Sequence, residues 1–260
     1  MKWICVILAA AAVAAAEVKV DLSKERVGTP PQTFEPMVGS WSVVEDGGEK
    51  AIMVDGRPWV AGQNNASRMI IETSRKLYGT SNEELMDNAK QFAYYPVAVL
   101  KSVDRFSNGS ISVKFKTIAG QADRCSGILF NVKPNGDWLA LRYNDTEHNV
   151  ILWEFHNGIR RPLIRPRDGV LLTAPGDREK WHDLKLEVDG ANIYGSLDGA
   201  RVLTYALGSA PPAGRNGEPP NADLLPANNP VLRAPIDGKV GLWSKTDSTS
   251  YFKDYVVNAR

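Results

Sequence analysis

Apolar and polar residues alternate with a period of two along much of this chain. In residues 110–117, Ile111, Val113 and Phe115 fall on one side and Ser112, Lys114 and Lys116 on the other. That spacing predicts a strand with one buried face. Residues 181–188 repeat it, with Leu184, Leu186 and Val188 on one face. Further short runs predict strands over 39–45, 51–54, 69–72, 127–132, 138–143, 149–156, 159–164, 193–197, 201–205, 240–245 and 251–257, with a weak edge strand at Val18 and Val20. Turn signals separate them: Gly47-Gly48, Asn157-Gly158, Asp189-Gly190 and Asp198-Gly199. One segment reads as a helix, residues 82–92. Ser81 is its N-cap, Glu84 completes a capping box, and Tyr95-Pro96 ends it.

Many short strands with little helix predict an all-β sandwich of the jelly-roll type, with the helix as an insertion. Residues 208–229 are rich in proline, glycine and asparagine and read as an inserted surface loop. Strands continue beyond that loop, so residues 17–260 are expected to form a single domain.

The first residues alter the picture of where this domain works. Lys2, the apolar run Ile4 to Val13 and the small residues Ala14-Ala15-Ala16 predict a signal peptide at 1–16, cleaved after Ala16. The run is too short to span a bilayer. A secreted or periplasmic protein is expected, with no membrane contact after cleavage. Cleavage leaves one cysteine, Cys125, which cannot form an internal disulfide and is expected to pack in the core. The formal charge is +1, with 31 basic and 30 acidic residues. No basic run marks a nucleic-acid surface. The three histidines, His148, His156 and His182, match no zinc spacing.

Two polar constellations could carry chemistry. The first is Arg142, Asn144, Glu147 and Asn149. Arg142 and Asn144 share parity on one strand, and the turn at 145–148 can fold Glu147 and Asn149 back toward them. A guanidinium, two amides and a carboxylate suit sugar hydroxyls, which need donors and acceptors in fixed directions. The same residues also fit a self-contained hairpin, capped by its own Asn and Asp side chains and braced by an Arg–Glu pair. His148 is the histidine adjacent to this cluster. The second constellation is Lys245, Asp247 and Ser248, at the end of a strand. It can extend the same cleft or form an Asx-type turn. Trp138, Trp153, Trp181 and Trp243 are expected mainly in the core.

These motifs carry a resemblance. Residues 238–248, Gly-Lys-Val-Gly-Leu-Trp-Ser-Lys-Thr-Asp-Ser, are similar to the C-terminal signature of secreted bacterial proteins of the concanavalin A-like (laminin-G-like) superfamily. The closer similarity is to those of the 3-keto-disaccharide hydrolase domain. Residues 142–150, Asn157-Gly158-Ile159-Arg160 and the stretch from Trp181 to Gly199 match in the same way. The resemblance implies a concanavalin A-like lectin/glucanase jelly roll with carbohydrate as partner. It also implies a ligand cleft of Arg142, Asn144, Asn149, His148, Lys245 and Ser248. Members often carry an acidic residue where Lys253 stands. That lysine stands against the calcium site the resemblance would otherwise imply, so the expectation is no cofactor, with calcium as the alternative.

Three functions follow as expectations. The first is a secreted or periplasmic protein that binds a glycan in a polar cleft. The second is a glycoside hydrolase of the 3-keto-disaccharide type, with Glu147 and Asp247 as acid/base pair. The third is a structural or adhesion module without a small-molecule site. A common location for Arg142, Asn144, Glu147 and Lys245 separates the first two from the third.

Overall fold

The alternation at residues 110–117 becomes the centre of the molecule. Ile111, Val113 and Phe115 are buried, and their strand runs longer than expected, as Gly109–Ala119. The computed structural model describes residues 16–57, 95–156, 159–164, 179–209 and 234–260. Within them the strands are β1 (Ala16–Lys19), β2 (Phe34–Val38), β3 (Ser40–Asp46), β4 (Glu49–Asp55), β5 (Val97–Leu100), β6 (Gly109–Ala119), β7 (Cys125–Val132), β8 (Trp138–Asn144), β9 (Asn149–His156), β10 (Ile159–Pro162), β11 (His182–Asp189), β12 (Asn192–Leu197), β13 (Ala200–Ala206), β14 (Lys239–Trp243) and β15 (Thr249–Ala259). The helix expected at 82–92, the strand at 69–72, the Asn157-Gly158 turn and residues 210–229 lie outside the described residues.

The strands form two antiparallel sheets, as a jelly-roll sandwich requires. The eight-stranded sheet runs β13-β12-β11-β6-β15-β4-β3, with β1 added along β15. The seven-stranded sheet runs β10-β9-β8-β7-β14-β5-β2. Between them lies the main core, which includes Phe115, Phe130, Leu141, Leu152, Leu186, Leu242 and Phe252. Each such side chain contributes about 1.5–3 kcal/mol on burial.

The seven-stranded sheet is apolar on its other face as well. Leu129, Trp138, Ala140, Phe155 and Trp243 form a second cluster there, with Cys125. Tyr95 packs on it, stacked on Trp243 at 6.1 Å between ring centroids. Strands β7, β8 and β9 are therefore buried on both faces along their whole length. Trp138 and Trp243 are buried as expected, but in this second cluster. Trp181 departs from the expectation. It is only partly buried, with the ammonium groups of Lys253 at 4.3 Å and Lys116 at 5.1 Å from its ring centre.

Residues 34–38 include Pro36. They form β2, the edge strand of its sheet, where proline is tolerated, and the register shifts at that residue. The final two strands do not pair with each other. β14 lies between β7 and β5, while β15 lies between β6 and β4. The turn between them, residues 244–248, is thus a corner where the chain crosses from one sheet to the other. Close packing holds β14 in place: a Cβ at Gly241 would sit 2.0 Å from the Ala98 carbonyl oxygen.

Candidate functional site

The first polar motif forms the connection between β8 and β9, with Asn144 and Asn149 paired across its base. Asn144 ends β8 by turning its side chain on the following backbone. Its Oδ1 accepts from the Thr146 amide at 2.8 Å and the Glu147 amide at 3.4 Å. His148 then takes the left-handed conformation, φ 51°, and returns the chain to β9. Arg124 braces the turn from β7's start, its Nε 2.6 Å from buried Asp145.

Arg142 lies beneath this turn. Its side chain is 1% exposed, whereas that of Glu147 is 47% exposed. From that buried position, Nη2 donates to Glu147 Oε2 at 2.8 Å and to Asn149 Oδ1 at 2.6 Å. Asn149 Nδ2 donates to the same Glu147 oxygen at 3.2 Å. The guanidinium also lies over the Trp153 ring at 5.5 Å. Arg142 Nε and His148 Nδ1 are buried without a hydrogen-bond partner among the described residues. Partial burial works to raise the Glu147 pKa. The Arg142 charge, hydrogen bonds from Arg142 and Asn149, and the Lys245 charge outweigh it and hold the carboxyl below its usual range.

The second polar motif, at the 244–248 corner, meets the first through a residue the sequence reading did not single out. Asp123 receives Lys245 Nζ at 2.7 Å and Thr246 Oγ1 at 3.1 Å on Oδ2, and Asn144 Nδ2 at 3.2 Å on Oδ1. Asp247 returns the contact. Its carboxylate accepts from the backbone amides of Gln121, Ala122 and Asp123 at 2.7–3.1 Å. Turns 121–123 and 245–247 thus each hold the other with a carboxylate. Ser248 is fully buried in the same clasp, accepting from the Cys125 amide and donating to the Asp123 carbonyl, both at 3.0 Å.

These contacts sort the expected site residues. Arg142, Asn144, Glu147, Asn149 and Lys245 do come together at one end of the seven-stranded sheet. Glu147, His148 and Lys245 are the members that reach the surface. Asn144, Asn149 and Arg142 are buried and hold the turn. Asp247 and Ser248, expected as acid/base and ligand groups, are engaged by the neighbouring chain. Their polar atoms are committed to backbone groups. Against partial burial, the Ala122, Gln121 and Asp123 amides hold Asp247 below the usual carboxylate range, which does not suit a proton donor. The remaining histidines are paired elsewhere: His156 with Asp137 at 2.7 Å and His182 with Asp198 at 2.8 Å. Burial pushes the Cys125 thiol up to about 12, which makes it inert at neutral pH.

Where calcium would be sought, Lys253 pairs with Glu49, and Asp254 pairs with Lys114 at 3.3 Å. A surface groove of about 820 Å³ runs beside them, between residues 19–23, the β3–β4 turn and the β15 bulge. Its charges are largely committed within the protein: Lys50 donates to the Ser23 and Glu25 carbonyls.

No protein-family model and no curated protein sequence matches this chain. Solved structures do. A carbohydrate-binding module from Bacillus subtilis superposes with a TM-score of 0.52 at 12% identity, over 88% of this chain and 97% of that one. An apo Crh5 transglycosylase aligns with a TM-score of 0.47 at 15% identity, over 95% and 85% of the two chains. A Bacillus licheniformis β-glucanase gives 0.43 at 9%, over 95% and 98%. At 12% identity the likeness to the carbohydrate-binding module is one of fold alone, and it agrees with the jelly-roll sandwich described above.

Proposed function

We propose that this is an exported jelly-roll protein that binds a glycan at the β8–β9 turn, with Glu147, His148 and Lys245 as the contacting groups. The observation that carries the reading is the use of Arg142. Burying a guanidinium is costly, and such pairs seldom repay the cost in stability. Here the buried cation and Asn149 fix the direction of a half-exposed, ionised carboxylate. A fixed acceptor beside a lysine donor is what orients a sugar hydroxyl. The sugar-binding name of the Bacillus subtilis neighbour and the resemblance of residues 142–150 and 238–248 support the same reading. The segment Lys2 to Ala16 supports export.

The alternative is hydrolysis of a 3-keto-disaccharide or related glycoside on this scaffold, with Glu147 as base. Its exposed, ionised carboxylate favours that role, but a second carboxylate is needed for the usual mechanism. Asp247 is held by amides, and Asp123 is held by Lys245.

The test is a panel of glycans and keto-disaccharides with wild type and Glu147→Gln. Binding without product release, weakened about tenfold in the variant through loss of a charged hydrogen bond, supports the binding protein. Product release that vanishes in the variant supports the hydrolase. A wild type that neither binds nor cleaves any of them overturns both and leaves the structural module.

A further inference from the structure

The geometry points to Asp123 as the positioning residue of this site: it holds Lys245 in place and, through Asn144, ties the 244–248 corner to the β8–β9 turn that carries Glu147. The inference rests on the proposed site for its functional meaning, but its geometry stands without a ligand.

Asp123 is 6% exposed and lies just before β7. Each of its oxygens serves a different part of the site. Oδ2 takes the Lys245 ammonium and the Thr246 hydroxyl, and Oδ1 takes the Asn144 amide. Asn144 in turn sets the Thr146 and Glu147 backbone. The carboxylate is itself fixed, because Asp247 holds the amides of residues 121–123. A lysine on a four-carbon stem has many rotamers, and an exposed one would not stay near one place. Asp123 removes that freedom. Arg142 pairs with Glu147 directly, and Asp123 fixes the Lys245 ammonium at the adjoining corner. Lys245 is near enough to help keep the Glu147 carboxyl ionised.

The consequence has a sign that separates positioning from simple charge loss. Removing the Asp123 charge with Lys245 still in place would make the surroundings of Glu147 more positive and lower its pKa. Releasing Lys245 would remove a nearby cation and raise it. The experiment is an NMR titration of the Glu147 side-chain carboxyl in ligand-free wild type, Asp123→Asn and Lys245→Met. Positioning predicts a higher Glu147 pKa in Asp123→Asn. Lys245→Met, which leaves the Asp123 charge uncompensated, should raise it further, and the double variant should match Asp123→Asn. An unchanged or lower Glu147 pKa in a folded Asp123→Asn overturns the inference. If the amide variant does not fold, Asp123→Glu makes the same test, since it keeps the charge and moves it by one methylene. It should also raise the Glu147 pKa, and an unchanged value would again overturn the inference. Glycan binding is measured separately. A wild type that binds no glycan refutes the functional reading alone, while a binding wild type with an unmoved Glu147 pKa refutes the Asp123 role alone.

Discussion

Ser248→Ala removes one hydroxyl that serves two buried backbone groups. The Ser248 side chain accepts from the Cys125 amide and donates to the Asp123 carbonyl, and Ser248 is 0% exposed. Neither group gains water when the hydroxyl goes. A buried amide left without an acceptor costs about 1–3 kcal/mol, and an under-satisfied carbonyl is tolerated somewhat better. Together the loss comes to about 3 kcal/mol. For a domain of this size that lowers Tm by roughly 6–12 °C. The neighbouring serines provide the contrast. Ser244 and Ser250 both donate to the Cys125 carbonyl, at 2.9 and 3.1 Å. Either one alone satisfies it, so each single alanine variant should lose only about 0.5–1 kcal/mol. The double variant should lose more than the sum, because only then is the carbonyl bare. Urea denaturation of the four variants measures all of this. A Ser248→Ala loss below about 1 kcal/mol, or strict additivity for Ser244 and Ser250, would refute the reasoning.

Two further outcomes follow. The hydrogen bond that His156 Nδ1 donates to the Asp137 carboxylate, against partial burial, raises the His156 pKa above its ordinary 6.5. A group whose folded pKa is raised stabilises the fold fully below its unfolded pKa and loses that contribution as pH rises through the folded value. Wild type should therefore lose stability relative to His156→Gln as pH rises above 6.5, and parallel urea midpoints for the two across that range would contradict it. Gly241→Ala should cost about 3 kcal/mol by forcing β14 away from Ala98 on β5, and a wild-type Tm in that variant would show that the strands can part without cost.

Much of the fold was legible because strands such as β6 and β11 bury one face and write the fact into alternate residues. Leu184, Leu186 and Val188 are buried as their spacing indicates. Pattern failed where its physical basis was missing. Strand β2 carries a proline that only an edge position accommodates, and edge position is a property of the whole sheet. Strands β7 to β9 are buried on both faces, so their alternation is blurred, and the second apolar cluster could not be told from the first. The first polar motif was legible in its residue types, whereas the partners of the second were not. Arg142, Glu147 and Asn149 are close in sequence, and their mutual contacts follow from one hairpin. Asp247 and Ser248 find their partners about 125 residues away, at Gln121 to Cys125. Asp123 stands in an unremarkable Ala-Asp-Arg stretch, and no local spacing marks it. Its importance arises only when the corner between the sheets brings Lys245 to it.

The clasp around Cys125 also provides a built-in clock. In a chain that starts at Glu17, this is the only thiol, and its backbone amide and carbonyl are held by three serines from the far end of the chain. The thiol itself is fully buried, so a thiol-reactive dye reaches it only when this part of the sheet opens. The labelling rate at low reagent concentration therefore reports how often this end of the sheet breathes, without any engineered probe. A ligand that bridged Glu147 and Lys245 would tie the β8–β9 turn to the 244–248 corner and should slow the reaction.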